Sequence, residues 1–448
     1  MALKVNWVFL ALIVVSVLTA AFNGTMPKLT DATVMSAKSA VELALGLIGQ
    51  MTLWLGLVGV LREAGLLRSL ATVLRPVMSR LFPEVPVDHP AMGAMILNLA
   101  ANVLGLGNAA TPFGLKAMQE LDKLNTQKGV ATNSMALFLA INTSCIALPL
   151  TVIGVRATLG SKDPAGIIVP TLLAASFSTF FAVLACKLLE RRSLFAMSRY
   201  GAVEIDASKL KAPDATALEK AEELAAVAPK TSLWRQVVAV AIGVTVIIAL
   251  VRDVLAAPAT QSAFDTSRAY LSGWLLPLLI LTIVTLGFGR GVKVYEAFIG
   301  AAKDGFQTVI SIIPFLVGVL VSIGMFRASG AMDVLVSVLS PVVTPLGFPP
   351  EALPMALIRP LSGSGALGVM SDGLKAYGPD SFVGYLLSVL NGSTETTFYV
   401  LALYFGAVQV KALRHTLASC LVADFAGPVG ALLVCKAFFA SAPYITPK

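Results

Sequence analysis

Two long apolar segments of this chain are interrupted half-way by runs of polar side chains, Asn142-Thr143-Ser144-Cys145 and Asn391-Gly392-Ser393-Thr394-Glu395-Thr396-Thr397. Each segment is otherwise fit to cross a membrane. Lipid offers no hydrogen-bond partner, so such groups must face protein, water or a ligand. One run falls in each half of the chain. The pair points to a polar site assembled at mid-membrane by two related halves.

The rest of the chain agrees with a membrane setting. Of 448 residues, 57% are hydrophobic and only 13% charged, well outside the composition of soluble proteins. Apolar runs at 5–22, 40–61, 131–159, 167–189, 237–254, 271–288, 306–325, 382–405 and 417–438 approach or exceed the about 20 helical residues that cross a hydrocarbon core of roughly 30 Å. Two further runs, 90–107 and 352–370, are shorter or broken by Gly and Asn and read as re-entrant hairpins. The expected fold is an all-α polytopic membrane protein. It has two inverted repeats with re-entrant or broken helices, in all about nine spans plus two re-entrant segments. The first run lacks a clear A-x-A cleavage site and reads as a retained helix, not a signal peptide.

The net charge of +8 is spread over the connections between apolar runs, where it orients helices. It forms no tract interleaved with aromatics, so no nucleic-acid partner is expected. Cys145, Cys186, Cys420 and Cys435 lie in apolar runs without C-x-x-C spacing, and His89 and His415 are the only histidines. Neither a disulfide nor a metal site nor any other cofactor is indicated.

The halves repeat. Residues 38–76 align without gaps on 303–341, so that Arg62-Glu63-Ala64-Gly65 meets Arg327-Ala328-Ser329-Gly330 and Pro76 meets Pro341. Further on, Gly114-Leu115-Lys116-Ala117 parallels Gly373-Leu374-Lys375-Ala376, Asn142 parallels Asn391, and Ser144 parallels Ser393. Shared punctuation by Arg, Gly, Pro and Asn in one order sets this apart from chance likeness between apolar helices. A charged stretch between Glu190 and Trp234 divides the halves. The expected domains are 1–190, a linker with one connecting helix at 191–269, and 270–448. With the N-terminus cytoplasmic and both short runs re-entrant, the basic connections fall inside, the C-terminus falls outside, and the second repeat inserts upside-down. Arg62, Arg68, Arg75 and Arg80 also offer charge to anionic membrane lipid.

Candidate binding groups gather in four places. In the first re-entrant run they are Asn98, Asn102, Asn108 and Thr111. Glycines there permit a tight reversal, Pro112 suits the first turn of the next helix, and Asn108 or Thr111 is placed to cap it. The alternative is that the asparagines only lock helices together. The first polar run contributes Asn142, Thr143 and Ser144. The second re-entrant run contributes Ser362, Ser364 and Arg359, the last either a snorkelling anchor or a ligand for carboxylate or phosphate. Asp372 follows, in reach of Lys375. The second polar run contributes Asn391, Ser393, Thr394 and Thr396. Glu395, inside an apolar run, is the costliest residue in the chain. It can hold a proton, coordinate Na⁺ with neighbouring hydroxyls, or neutralise Arg359. Asp424 is the second candidate for ion coupling. No nucleophile–base–orienter set and no phosphate loop is present, so the chain is not expected to be an enzyme.

Several strings carry a family resemblance. Phe22-Asn23-Gly24-Thr25, Leu81-Phe82-Pro83, Asp88-His89-Pro90-Ala91-Met92-Gly93, Gly105-Leu106-Gly107-Asn108-Ala109-Ala110-Thr111-Pro112 and Asn142-Thr143-Ser144-Cys145 closely resemble spore maturation protein A. Ile358-Arg359-Pro360-Leu361-Ser362-Gly363, Tyr377-Gly378-Pro379-Asp380-Ser381-Phe382 and Gly392-Ser393-Thr394-Glu395-Thr396-Thr397 resemble spore maturation protein B. In spore formers these are usually separate proteins, and here they look fused. The resemblance implies the "nucleoside recognition" or gate domain, shared with nucleoside and ferrous-iron transporters, and a place in the bacterial inner (cytoplasmic) membrane.

The expected function is secondary transport of a small polar or anionic solute, coupled to H⁺ or Na⁺, at a site between the repeats. A nucleoside fits the domain's name, but few aromatic residues lie near these motifs for stacking. An amino acid, short peptide or organic acid fits as well. The alternative is a non-transporting scaffold or regulator that acts with a partner, as the family's link to spore maturation and core dehydration implies. Related transporter scaffolds are often oligomers, so a homo-oligomer is a further expectation by analogy.

Overall fold

The computed structural model describes residues 2–105, 110–200, 231–255 and 263–439. Their regular structure is helical, with one isolated bridge between Val130 and Ala412. The first half contains α1 (Ala2–Asn23), α2 (Met26–Glu63), α3 (Leu66–Leu81), α4 (Pro90–Val103), α5 (Thr111–Lys123), α6 (Asn133–Thr143), α7 (Leu150–Thr158) and α8 (Ile168–Leu189). A connecting helix α9 (Leu233–Leu255) follows. The second half contains α10 (Ala263–Gly289), α11 (Val294–Ala328), α12 (Ala331–Val343), α13 (Leu353–Ile358), α14 (Gly363–Tyr377), α15 (Phe382–Ser393), α16 (Thr397–Ala407) and α17 (Thr416–Phe439).

The outside of this bundle is apolar. Phe22, Met35, Leu45, Phe180, Ile247 and Phe425 are all exposed, which water would penalise and lipid does not. Among the described residues four helices are long and apolar enough to span a membrane, or up to six when each bent pair counts as one span. That is fewer than the nine runs expected from sequence. Two of the missing spans have a local cause. The run at 131–159 is two helices, α6 and α7, and the run at 382–405 is two helices, α15 and α16. Each polar run marks the point where the helix stops. Serine, threonine and asparagine hydroxyls and amides compete for the backbone, and Pro149 at the first break and Gly392 at the second weaken it further.

The inversion of the repeats is visible in side-chain contacts. The register that pairs Lys38 with Lys303 makes Gly59 equivalent to Gly324 and Ser36 equivalent to Ala301. The missing side chain of Gly59 leaves room for Ala301, and that of Gly324 leaves room for Ser36. Both are the same contact seen twice, from either end of the α2–α11 pair. Two helices that meet so are antiparallel and related by a two-fold axis across them. The loops repeat the relation. Thr25 donates to the Ser329 carbonyl (3.5 Å), and its equivalent Arg290 donates to the Ala64 carbonyl (2.7 Å). Gly65 and Gly330, equivalent again, both take the left-handed conformation (φ 69° and 87°) that turns α2 into α3 and α11 into α12,.

Two details differ from the sequence reading. The Gly114–Ala117 string sits in the first turns of α5, whereas Gly373–Ala376 closes α14, so these strings are alike but not equivalent. Asp372 pairs with Arg327 (2.6 Å) and not with Lys375, which reaches the Ser39 carbonyl (3.4 Å). Most of the charged linker, 201–230, lies outside the described residues.

Candidate functional site: the crossing of two broken helices

Both broken helices are built alike. Gly129 and Gly378 turn the chain with positive φ (78° and 88°). Three residues on, Thr132 and Ser381 cap the helices, accepting from the Met135 and Gly384 amides (3.1 and 3.0 Å),. α6 then ends at Thr143 and α15 at Ser393. Each break leaves carbonyls and amides that no helix satisfies.

Those orphan groups find partners across the repeats. The Glu395 amide donates to the Thr143 carbonyl at 2.9 Å. The second break therefore lies on the end of the first helix, and the two polar runs converge as expected. The re-entrant tips close the arrangement from either side. Gly105, with φ 71°, turns the first tip. The Leu148 amide donates to the Val103 carbonyl (3.3 Å), and in the second repeat the Phe398 amide donates to the Pro360 carbonyl (3.2 Å). Each tip thus holds the break of its own repeat.

One residue before those carbonyls stand Asn102 and Arg359. The Asn102 amide donates to Asn142 Oδ1 (3.1 Å), while Asn142 Nδ2 donates to the Phe138 carbonyl (2.9 Å). Arg359 is buried and donates to the Thr394 carbonyl, with the Glu395 carboxylate 3.7 Å away. Arg359 therefore turns inward, which removes the snorkelling alternative. Glu395 itself is 48% exposed. Thr397 Oγ1 donates to Asp424 Oδ1 (2.8 Å), whose second oxygen is buried without a partner.

Other expected binding groups do something simpler. Thr143 and Ser144 hydroxyls both donate to the Ala140 carbonyl (3.0 and 2.9 Å), and that of Ser393 to Leu390 (3.4 Å). They are satisfied by their own helix. The Asn391 amide meets only the weak acceptor Met370 Sδ (3.2 Å),. Ser362 caps α14 through the Gly365 amide (3.0 Å), with Ser364 3.5 Å from it. Thr111 is the first residue of α5 and does not cap it; the residue before it, Ala110, accepts from Asn98 Nδ2 (2.9 Å). Asn98 also approaches the Tyr404 hydroxyl (3.4 Å), and its Oδ1 is buried without a partner. Thr396 precedes α16 without a side-chain cap bond. Asn108 lies outside the described residues.

The sequence reading missed Arg156 and Asp380. Arg156 is 1% exposed and ends the first broken helix. It bonds Asp380 Oδ1 (2.9 Å), Ser388 Oγ (3.2 Å), Ser161 Oγ (3.0 Å) and the Pro379 and Asp163 carbonyls, and stacks over Tyr385. An arginine inside an apolar run was the available signal.

Comparison with known proteins now adds a name to the geometry. The chain matches the Gate family, described as nucleoside recognition, over residues 44–162 and 309–411. It is 45% identical over 173 residues to spore maturation protein B of Bacillus subtilis (strain 168), a stretch that is 39% of this chain and 97% of that protein. It is 44% identical over 181 residues to spore maturation protein A of the same organism, 40% of this chain and 92% of that protein. No solved structure gives a significant match.

Proposed function

The chain belongs to the family of spore maturation proteins A and B, both halves joined in one polypeptide, and from that premise we propose that it is a secondary transporter of a small polar or anionic solute. The solute binds where the two breaks cross. Glu395 is the observation that carries this reading. A carboxylate at membrane depth that is 48% exposed must face water or lipid, and lipid is costly by several kcal/mol. A water-filled approach to the crossing is the cheaper solution. Arg359 then supplies positive charge to an anionic group, and Asn98 Oδ1 supplies an unused acceptor. Glu395 and Asp424 are the groups to carry H⁺ or to hold Na⁺. A nucleoside, an amino acid or short peptide, and an organic acid all fit this donor set. The membrane is the bacterial inner one, with the basic connections on the cytoplasmic side, the N-terminus inside and the C-terminus outside.

One observation favours a second reading, a scaffold that moves no solute: Thr143, Ser144 and Ser393 are satisfied within their own helices. Proteoliposomes separate the two. The purified chain is reconstituted and offered labelled nucleosides, amino acids and organic acids under imposed H⁺ or Na⁺ gradients. Transport requires gradient-driven uptake of at least one class, lost in Arg359→Ala and uncoupled from the gradient in Glu395→Gln. Absence of uptake for every class under both gradients, by folded protein, would favour the scaffold.

A further inference from the structure

Two helices of the second repeat begin at one point. α14 starts at Gly363 behind its cap Ser362, and α16 starts at Thr397 behind Thr396. The space that a Cβ would take on Gly363 is bordered within 4 Å by two atoms alone, Thr396 Oγ1 (3.0 Å) and Arg359 Nη1 (3.6 Å). The bare Cα of a glycine is what lets both come so close. Each helix start carries about half a unit of positive charge, and the guanidinium adds a whole one. The first repeat has no such charge, because Asn102, neutral and bonded to Asn142, stands at the place of Arg359.

The donors gathered here are unused. Ser362 takes the Gly365 amide with its hydroxyl and the Ala366 amide with its carbonyl. The Gly363 and Ser364 amides are left without a partner among the described residues. Thr396 makes no cap bond with its hydroxyl. Arg359 gives Nη2 to the Thr394 carbonyl and keeps Nη1 unpaired. These are buried residues, Arg359 being 8% and Thr396 6% exposed. Arg359 Nε is unpaired and sealed from any approach, but Nη1 and Thr396 Oγ1 are unpaired and not sealed. A buried arginine thus holds an accessible N–H against a helix start that offers two more.

We propose that this point is the carboxylate subsite of the crossing: the oxygens of one monoanionic carboxylate accept from Arg359 Nη1, the Thr396 hydroxyl and the Gly363 and Ser364 amides. It rests on the reading of the crossing as a solute site, and it narrows the solute to one with a free carboxylate, an amino acid or an organic acid and not a nucleoside. Two acids limit the charge that fits. Glu395 meets the other nitrogen, Nη2, at 3.7 Å, and Asp424 is bonded to the Thr397 hydroxyl. Both repel an anion, so the site takes a single negative charge and rejects a dianion.

The test is equilibrium binding to the purified full chain in detergent, read as ligand-dependent thermal stabilisation at constant ionic strength. It involves no gradient and no transport step. The probes are propionate, its neutral isostere propionamide, sulfate and uridine. Charge-assisted bonds predict that propionate half-saturates at a concentration at least about tenfold below propionamide, and below sulfate and uridine. Thr396→Val keeps the shape without the hydroxyl and weakens propionate about three- to tenfold. Gly363→Ala sets a methyl group against Thr396 Oγ1 and Arg359 Nη1 and removes the preference for propionate over propionamide. Arg359→Gln removes it as well, and if that chain fails to fold the other two variants carry the test. Equal binding of propionate and propionamide to the unaltered chain overturns the proposal. So does a preference that survives unchanged in Gly363→Ala and Thr396→Val, or sulfate that binds more tightly than propionate. Uridine binding without propionate binding overturns the subsite and leaves transport standing. Propionate binding that follows the variants, in a chain that takes up no solute into liposomes, upholds the subsite and removes transport.

Discussion

Two junctions tie the end of each broken helix to the start of the other, and they are made of different materials. At one, Arg156 in the last turn of α7 and Ser161 just after it grip Asp380 and the Pro379 carbonyl ahead of α15. At the other, the backbone does the work. The Lys411 amide donates to Gly129 (2.9 Å), and the Ala131 amide donates to Ala412 (3.0 Å). Arg414 then adds bonds to the Ala131 and Phe195 carbonyls (2.8 and 2.7 Å). In the register of the repeat, Ala131 is the equivalent of Asp380. The same joint is held by a partly buried ion pair in one case and by backbone hydrogen bonds in the other. Inverted repeats therefore share their backbone path and not their chemistry.

The largest effect is expected from Arg156→Ala. It leaves Asp380 as an unpaired charge in a partly buried site, which costs about 3–5 kcal/mol. Thermal unfolding in detergent would show it, and Asp380→Ala should cost a similar amount. Arg414→Ala should cost less, about 2 kcal/mol, because two carbonyls lose a donor but no charge is stranded. If Arg414→Ala proved the more damaging, the contrast between ionic and backbone joints would be wrong.

The symmetric α2–α11 crossing offers a second comparison. Gly59→Ala puts a methyl group against the methyl of Ala301, which cannot turn away; about 1–2 kcal/mol is expected,. Gly324→Ala meets the Ser36 hydroxyl, which can rotate, so its cost should be smaller. Equal losses would mean that the helices shift as a pair and that the local neighbour is irrelevant.

The smallest effect concerns His415, next to Arg414. Its ring is buried and neither nitrogen has a partner. Burial, then the charges of Arg414 and Lys187, push its pKa down to about 4. The unfolded chain takes up the proton first, near pH 6.5. Stability is therefore flat above that pH, falls as pH drops from about 6.5 to about 4, and levels off below; the loss is about 1 kcal/mol by pH 5.5. His415→Phe should remove this slope from a pH series of melting temperatures. A slope that survives in the variant assigns it to another group.

Much of this was legible in the residues. Glycines 65 and 330 and the paired asparagines 142 and 391 recur in order, so the repeat follows from one line of text. Arg359 near Glu395 was also within reach, since two opposite charges in apolar runs demand a partner. Arg156 was harder to see. Its carboxylate, Asp380, lies in the other repeat and outside any apolar run, so nothing local announces the pair. The hydroxyls of Thr143, Ser144 and Ser393 donate to carbonyls of their own helices, a use that the sequence does not distinguish from binding.

The sequence by itself determined that the chain lies in a membrane and that it is built twice, because lipid leaves polar groups nowhere to go. Only the tertiary structure decided what each polar group meets. It set which hydroxyls fold back on their helix and which arginine is buried against the opposite repeat. Those outcomes depend on distances between segments far apart in the chain, and hydrogen bonds and ion pairs act only over a few ångströms.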